Sequence, residues 1–171
     1  DLGEDSSGND NDWTANNLEV EADTIWSDVI TATASGEASA IDASYPLTDA
    51  FDGNSSTYCE TASTNISSNP AILTFTFPSG SQPAYTSSVQ VETYSGSTDT
   101  VKAAINGGSW QTVSQSGGWE THTVASGSGT ITELKVSRQK VASTGGGASI
   151  KSITVDGTDL LNGSPSVIDI L

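Results

Sequence analysis

Methionine is absent from this chain, and cysteine and histidine occur once each, as Cys59 and His122. A single thiol excludes an intrachain disulfide, and one Cys with one His cannot build the common four-ligand zinc sites. Any Ser-His-Asp or Cys-His nucleophile would depend on His122 alone. His122 sits in "GWETHTV", a strand pattern that places it on the face opposite Trp119, where a solvent-facing histidine is expected, and no G-x-S-x-G motif accompanies it. Positive charge is scarce as well. Lys and Arg total five against 21 acidic residues, for a formal net charge of −16. The first basic residue is Lys102, whereas residues 1–42 hold 11 acids. Phosphate backbones and anionic headgroups would repel such a surface, which argues against nucleic acid and membrane as partners. No apolar run approaches the roughly 20 residues of a membrane-spanning helix.

What remains is rich in Gly, Ser, Thr and Ala, with 34% hydrophobic and 15% charged residues. Short strands joined by tight turns suit that composition better than long amphipathic helices do. "AILTFTFPSG" alternates Leu73, Phe75 and Phe77 against Thr74 and Thr76, and "SVQVETY" repeats the pattern with Val89 and Val91. In "TVKAAINGGSWQTV", Asn106-Gly107 supplies a type I′ turn between Ile105 and a return strand carrying Trp110 and Thr112. "ITELKV" and "IKSITV" share an apolar offset of three then two, as a bulge or a bent strand entry would produce. About eight strands with a turn every 8–12 residues predict an all-β fold, an antiparallel β-sandwich or jelly roll. The expected organisation is an acidic extended arm with one or two strands over residues 1–35, including an apolar patch at Ile25–Ile30. A sandwich follows over 36–160, then a tail over 161–171 with a strand near Val167–Leu171.

Three kinds of site residue are candidates. Glycoside hydrolysis needs two carboxylates at short range, but Glu92, Glu120 and Glu133 lie on strand faces expected to be solvent-exposed. Calcium needs only oxygens. "DAFDGNSSTY" offers Asp52, Asn54 and Thr57 around Gly53, whereas Glu4, Asp5, Asp10 and Asp12 lack EF-hand spacing. Sugars bind an aromatic face flanked by a few polar groups, which Trp110, Trp119, Tyr94 and Tyr58 could supply; core packing is the competing role for the two tryptophans.

Two resemblances extend this reading. "DAFDGNSSTYCE", "AILTFTFPSG" and "ASIKSITVDG" resemble the discoidin, or F5/8-type, galactose-binding sandwich. That resemblance implies a structural calcium at Asp52, Asn54 and Thr57, although Tyr58 stands where a Trp is usual and the flanking disulfide is missing. "DSSGNDNDWTANNL" at residues 5–18 is similar to a segment of tailed-phage virion proteins, especially marine ones, where it closes a concanavalin A-like or laminin-G-type domain. "INGGSWQTV", "SGSGTITELKVSR" and "SITVDGTDLL" share that wording. The expectation is therefore a non-catalytic phage virion structural protein, a tail-fibre, appendage or capsid-decorating module. It would assemble with other virion proteins, as a homo-oligomer such as a trimer, and could attach to host glycans. The alternative is a carbohydrate-binding module of a secreted bacterial enzyme. No cofactor is required by either reading, beyond the calcium.

Overall fold

Alternation in the sequence becomes strands wherever one face can be buried. The computed structural model describes residues 25–114, 117–140 and 145–162. The stretch 5–18 and the strand expected near Val167–Leu171 lie outside the described residues. In chain order the strands begin with β1 (Thr31–Gly36), β2 (Cys59–Glu60), β3 (Ala71–Thr76) and β4 (Ala84–Tyr85). Next come β5 (Ser88–Ser95), β6 (Asp99–Ile105), β7 (Gln111–Ser114) and β8 (Gly118–Ser126). The last are β9 (Gly129–Thr130), β10 (Glu133–Lys140), β11 (Ser149–Val155) and β12 (Thr158–Asp159).

Two antiparallel sheets form the sandwich. The first has the order β1-β3-β10-β6-β7; the second has β12-β11-β5-β8, with β2 also paired to β11. A short β4-β9 pair stands apart. Leu73, Phe75, Val101, Ala103, Leu134 and Val136 come from the first sheet. They share one core with Val89, Val91, Val124, Ile150 and Ile153 from the second. Fully burying a side chain of this size contributes roughly 1.5–3 kcal/mol, so the expected alternation in β3 and β5 identifies the main stabilising surface.

Four local expectations change. The apolar patch at Ile25–Ile30 forms a helical turn, Trp26–Val29, rather than extended chain. Helical spacing brings Trp26, Val29 and Ile30 to one side, and Trp26 meets Phe77 edge-on at 6.1 Å. The strand β1 is one of those expected in the arm, but it pairs along its length with β3 and so belongs to the first sheet. The Asn106-Gly107 turn exists, with φ of 53° and 70° and a Gly108 N–H to Ile105 carbonyl bond of 2.8 Å. The chain does not return at once, however: β7 starts at Gln111, which leaves Trp110 in the connection and 42% exposed.

The fourth change concerns the face of β8. Register pairs Tyr94 with Trp119 and Val91 with His122. Since Val91 is buried, the face opposite Trp119 is the inward one. His122 therefore points into the sandwich rather than to solvent, with Nε2 buried and 3.5 Å from Glu120 Oε2. The carboxylates expected to face solvent are likewise half-buried and engaged. Glu92 pairs with Lys151, Glu133 with Lys135, and Glu120 faces His122. The offset of three then two has two causes: a β-bulge between Ile150 and Ser152 in β11, and a break at Ile131–Thr132 before β10.

Candidate functional site

One end of the sandwich gathers the aromatic residues. The last residues of β5 and β10 and the first of β6, β8 and β11 meet there, because antiparallel neighbours reverse direction. Tyr94 of β5 and Trp119 of β8 are directly opposed, with ring centroids 5.5 Å apart and nearly perpendicular. Tyr58, just before β2, leans on Trp119 at 4.9 Å, and Tyr45 stacks on Tyr58 at 4.5 Å and 12°. Edge-to-face and offset contacts of this kind each add roughly 0.5–1.5 kcal/mol beyond area burial. Three of the four aromatic residues expected at a ligand site, Tyr58, Tyr94 and Trp119, are thus brought together. Trp110 is not among them; it lies beyond β6, past the turn at the other end.

Two cations complete this wall. The Arg138 guanidinium stands 4.8 Å from the Tyr94 ring centroid, and Lys151 Nζ stands 4.3 Å from that of Trp119. Arg138 is held tightly from behind. Its Nε donates to Asp99 Oδ2 at 2.7 Å and its Nη1 to the Gly147 carbonyl at 3.1 Å. Asp99 is 2% exposed and also accepts the Gly96 N–H. The Gly147 N–H in turn donates to Glu60 Oε1 at 3.0 Å, and that oxygen lies 3.9 Å from Arg138 Nη1. Residue 147 must be glycine, because a Cβ there would collide with the Thr61 carbonyl.

Between these groups lies a cavity of about 310 Å³ lined by Tyr58, Glu60, Tyr94, Trp119, Arg138 and Ser149. Burial raises the Glu60 carboxyl above its ordinary value, against the opposing pull of Arg138 and the Gly147 N–H. Burial also raises the Tyr58 phenol, helped by its hydrogen bond with Tyr45 and by the Glu60 charge, so it stays protonated. The Cys59 thiol is pushed up to about 12 by burial and lies in the core. It is therefore a packing residue without nucleophilic character. The cavity offers aromatic walls, a carboxylate acceptor and a guanidinium donor.

The oxygens of Asp52, Asn54 and Thr57 do converge, but on one another. Thr57 Oγ1 lies 2.7 Å from Asp52 Oδ2 and 2.9 Å from the Asn54 carbonyl. Asp52 Oδ1 accepts the Asn54 N–H, and Asn54 Oδ1 accepts the Ser56 N–H. Calcium takes six to eight oxygens, and this loop brings one charged group among three. Among the described residues no cluster of three or more His, Cys, Asp or Glu gathers elsewhere. The loop closes on itself through these bonds.

No protein-family model and no curated protein matches the sequence. Solved structures do match. The family 32 carbohydrate-binding module of C. perfringens NanJ, in complex with galactose, is 23% identical, with 78% of this chain and 97% of that chain covered and a TM-score of 0.45. These likenesses are to sugar-binding domains. Chitosan-binding module 1 of a Paenibacillus sp. IK-5 chitosanase/glucanase is 24% identical over 73% of this chain and 92% of its own, with a TM-score of 0.43. Module 2 of that enzyme, in complex with chitotriose, is 20% identical over 74% and 95%, with a TM-score of 0.45. Arg138, Glu60 and Lys151 are the site residues that sequence reasoning missed. Scarcity is the one signal for the two cations: two of only five basic residues stand on aromatic rings here.

Proposed function

We propose that this chain is a non-catalytic carbohydrate-binding module that takes a sugar ring in the aromatic end cavity. The observation that carries the reading is the meeting of Tyr58, Tyr94 and Trp119 with Glu60 and Arg138 around one space of about 310 Å³. That size falls at the lower end of small-molecule pockets, and the lining combines apolar walls with a few convergent polar groups. The C–H faces of a sugar pack against the rings, while Glu60 accepts from one hydroxyl and Arg138 donates to its neighbour. Hydrolysis of a glycosidic bond uses a pair of carboxylates, and the cavity lining brings one, which supports binding over turnover. The virion reading rests on the wording of residues 5–18, which lie outside the described residues, and of three stretches of the sandwich, whereas the aromatic cavity supports the sugar-binding reading.

A glycan array followed by calorimetry tests the proposal. The folded protein is expected to retain glycans bearing terminal hexoses, and Trp119→Ala is expected to abolish retention while far-ultraviolet circular dichroism and a cooperative thermal unfolding transition are kept. A well-folded protein that retains no glycan overturns the reading.

A further inference from the structure

The outward face of the second sheet does not end at Trp119. One row further along β5 lies Glu92, opposite Thr121, and beside it β11 carries its bulge between Ile150 and Ser152. The extra residue at that bulge is Lys151. A bulge re-aims a side chain that regular pleating would send elsewhere, and here it brings the Lys151 ammonium onto the Trp119 ring and within 2.8 Å of Glu92 Oε1. Lys151 also lines a second space, of about 90 Å³. Its polar lining is Asn54, Ser55, Glu92, Lys151, Ser152 and Asp159.

That space is too small for a sugar ring. It is large enough for a few waters or the exocyclic groups of a ring lying over it. Lys151 links the two: it lines the small space, and its ammonium stands over the ring of Trp119, which lines the large one. An ammonium carries three donors, and Glu92 takes one of them. Because Lys151 and Glu92 neutralise each other, a charged ligand would have to strip one of its partner, whereas neutral hydroxyls can add to the pair.

We propose that the two spaces form one groove for a neutral oligosaccharide, with a terminal ring in the aromatic cavity and the next residue crossing Lys151. The inference rests on the saccharide-binding reading above and adds a second subsite to it. Calorimetry with mono-, di- and trisaccharides of glucose, galactose and N-acetylglucosamine tests it. The best trisaccharide is expected to bind at least about tenfold tighter than its monosaccharide. Ser55→Trp, which fills the small space from an exposed loop, is expected to remove that gain and leave monosaccharide affinity unchanged. Lys151→Met, which keeps the stem and removes the donors, is expected to lose the gain too. Monosaccharide binding with no gain in length, or a gain that survives Ser55→Trp, overturns the second subsite alone. Failure of every sugar to bind overturns both readings.

Discussion

The two ends of the sandwich are built from the same strands and treat their polar groups in opposite ways. At the far end, Asn106 and Asp156 adopt left-handed backbone, with φ of 53° and 51°. Asn106 Oδ1 accepts the Thr132 and Glu133 N–H groups and the Thr132 hydroxyl, and its Nδ2 donates to the Thr130 carbonyl. The Asp156 carboxylate accepts the N–H groups of Thr86, Ser87 and Ser88 and the Thr86 hydroxyl. Each side chain is consumed in tying one loop to another. At the aromatic end, Asp99 and Gly147 fix Arg138 from behind, and the rings and Glu60 border open space. One end is stitched shut; the other is braced from within and left open. A binding site is therefore sought where polar groups are held in place without being used up.

Breaking the brace gives the largest expected effect. Asp99→Ala leaves Arg138 buried without its partner and is expected to cost about 3–5 kcal/mol of stability in denaturant unfolding. A loss under about 1 kcal/mol would mean that the pair does not hold the open end. Trp119→Ala is expected to lower saccharide affinity by about 2 kcal/mol or more, roughly thirtyfold, and to cost about 1–3 kcal/mol of unfolding through its two lost ring contacts, with the protein still folded. Trp110→Ala serves as its control and should leave affinity unchanged. At the closed end the pattern reverses. Asn106→Ala removes the loop bonds and forces a Cβ residue into left-handed backbone, so about 1–2 kcal/mol of stability is lost with affinity unchanged.

Acid sharpens the contrast with opposite signs. Asp156 is lowered from 3.8 to about 2, first by the Ser88 and Thr86 N–H groups. Its contribution is present above pH 4 and is lost as pH falls towards 2. Glu60 is raised by burial, so its contribution is full below the ordinary carboxylate value and is lost as pH rises through the raised one. Thermal unfolding across pH 2–7 should therefore show Asp156→Asn removing part of the acid-side loss. Glu60→Gln should remove a loss on the rising side, and should also flatten the fall in sugar affinity as the carboxylate protonates.

Much of the fold is legible in short-range pattern. Leu73, Phe75 and Phe77 alternate because β3 buries one face, and Asn106-Gly107 marks its turn because two positive φ angles are required there. The site is legible only in part. Tyr58, Tyr94 and Trp119 stand out as large aromatics, but which of them meet depends on register between strands far apart in sequence. Trp110 was displaced from the expected strand by three residues beyond a correctly expected turn. His122 was placed on the correct side of its strand, yet that side is the interior, since alternation separates two faces without saying which is inside. Arg138 and Lys151 carried no local signal at all, because a first-sheet strand and a bulge deliver them.

The central claim is that the aromatic end, and not the rest of the surface, receives a sugar. Nitrogen-15 correlation spectra with assigned tryptophan indoles test it directly, in a titration with a saccharide identified on the array. The account predicts that the Trp119 indole N–H and the backbone signals of Tyr58, Glu60, Tyr94, Arg138 and Ser149 shift together with one affinity, while Trp110, Asn106 and Asp156 stay still. Shifts centred on Trp110 or on the Asn106 and Asp156 loops, with Trp119 unmoved, would contradict it.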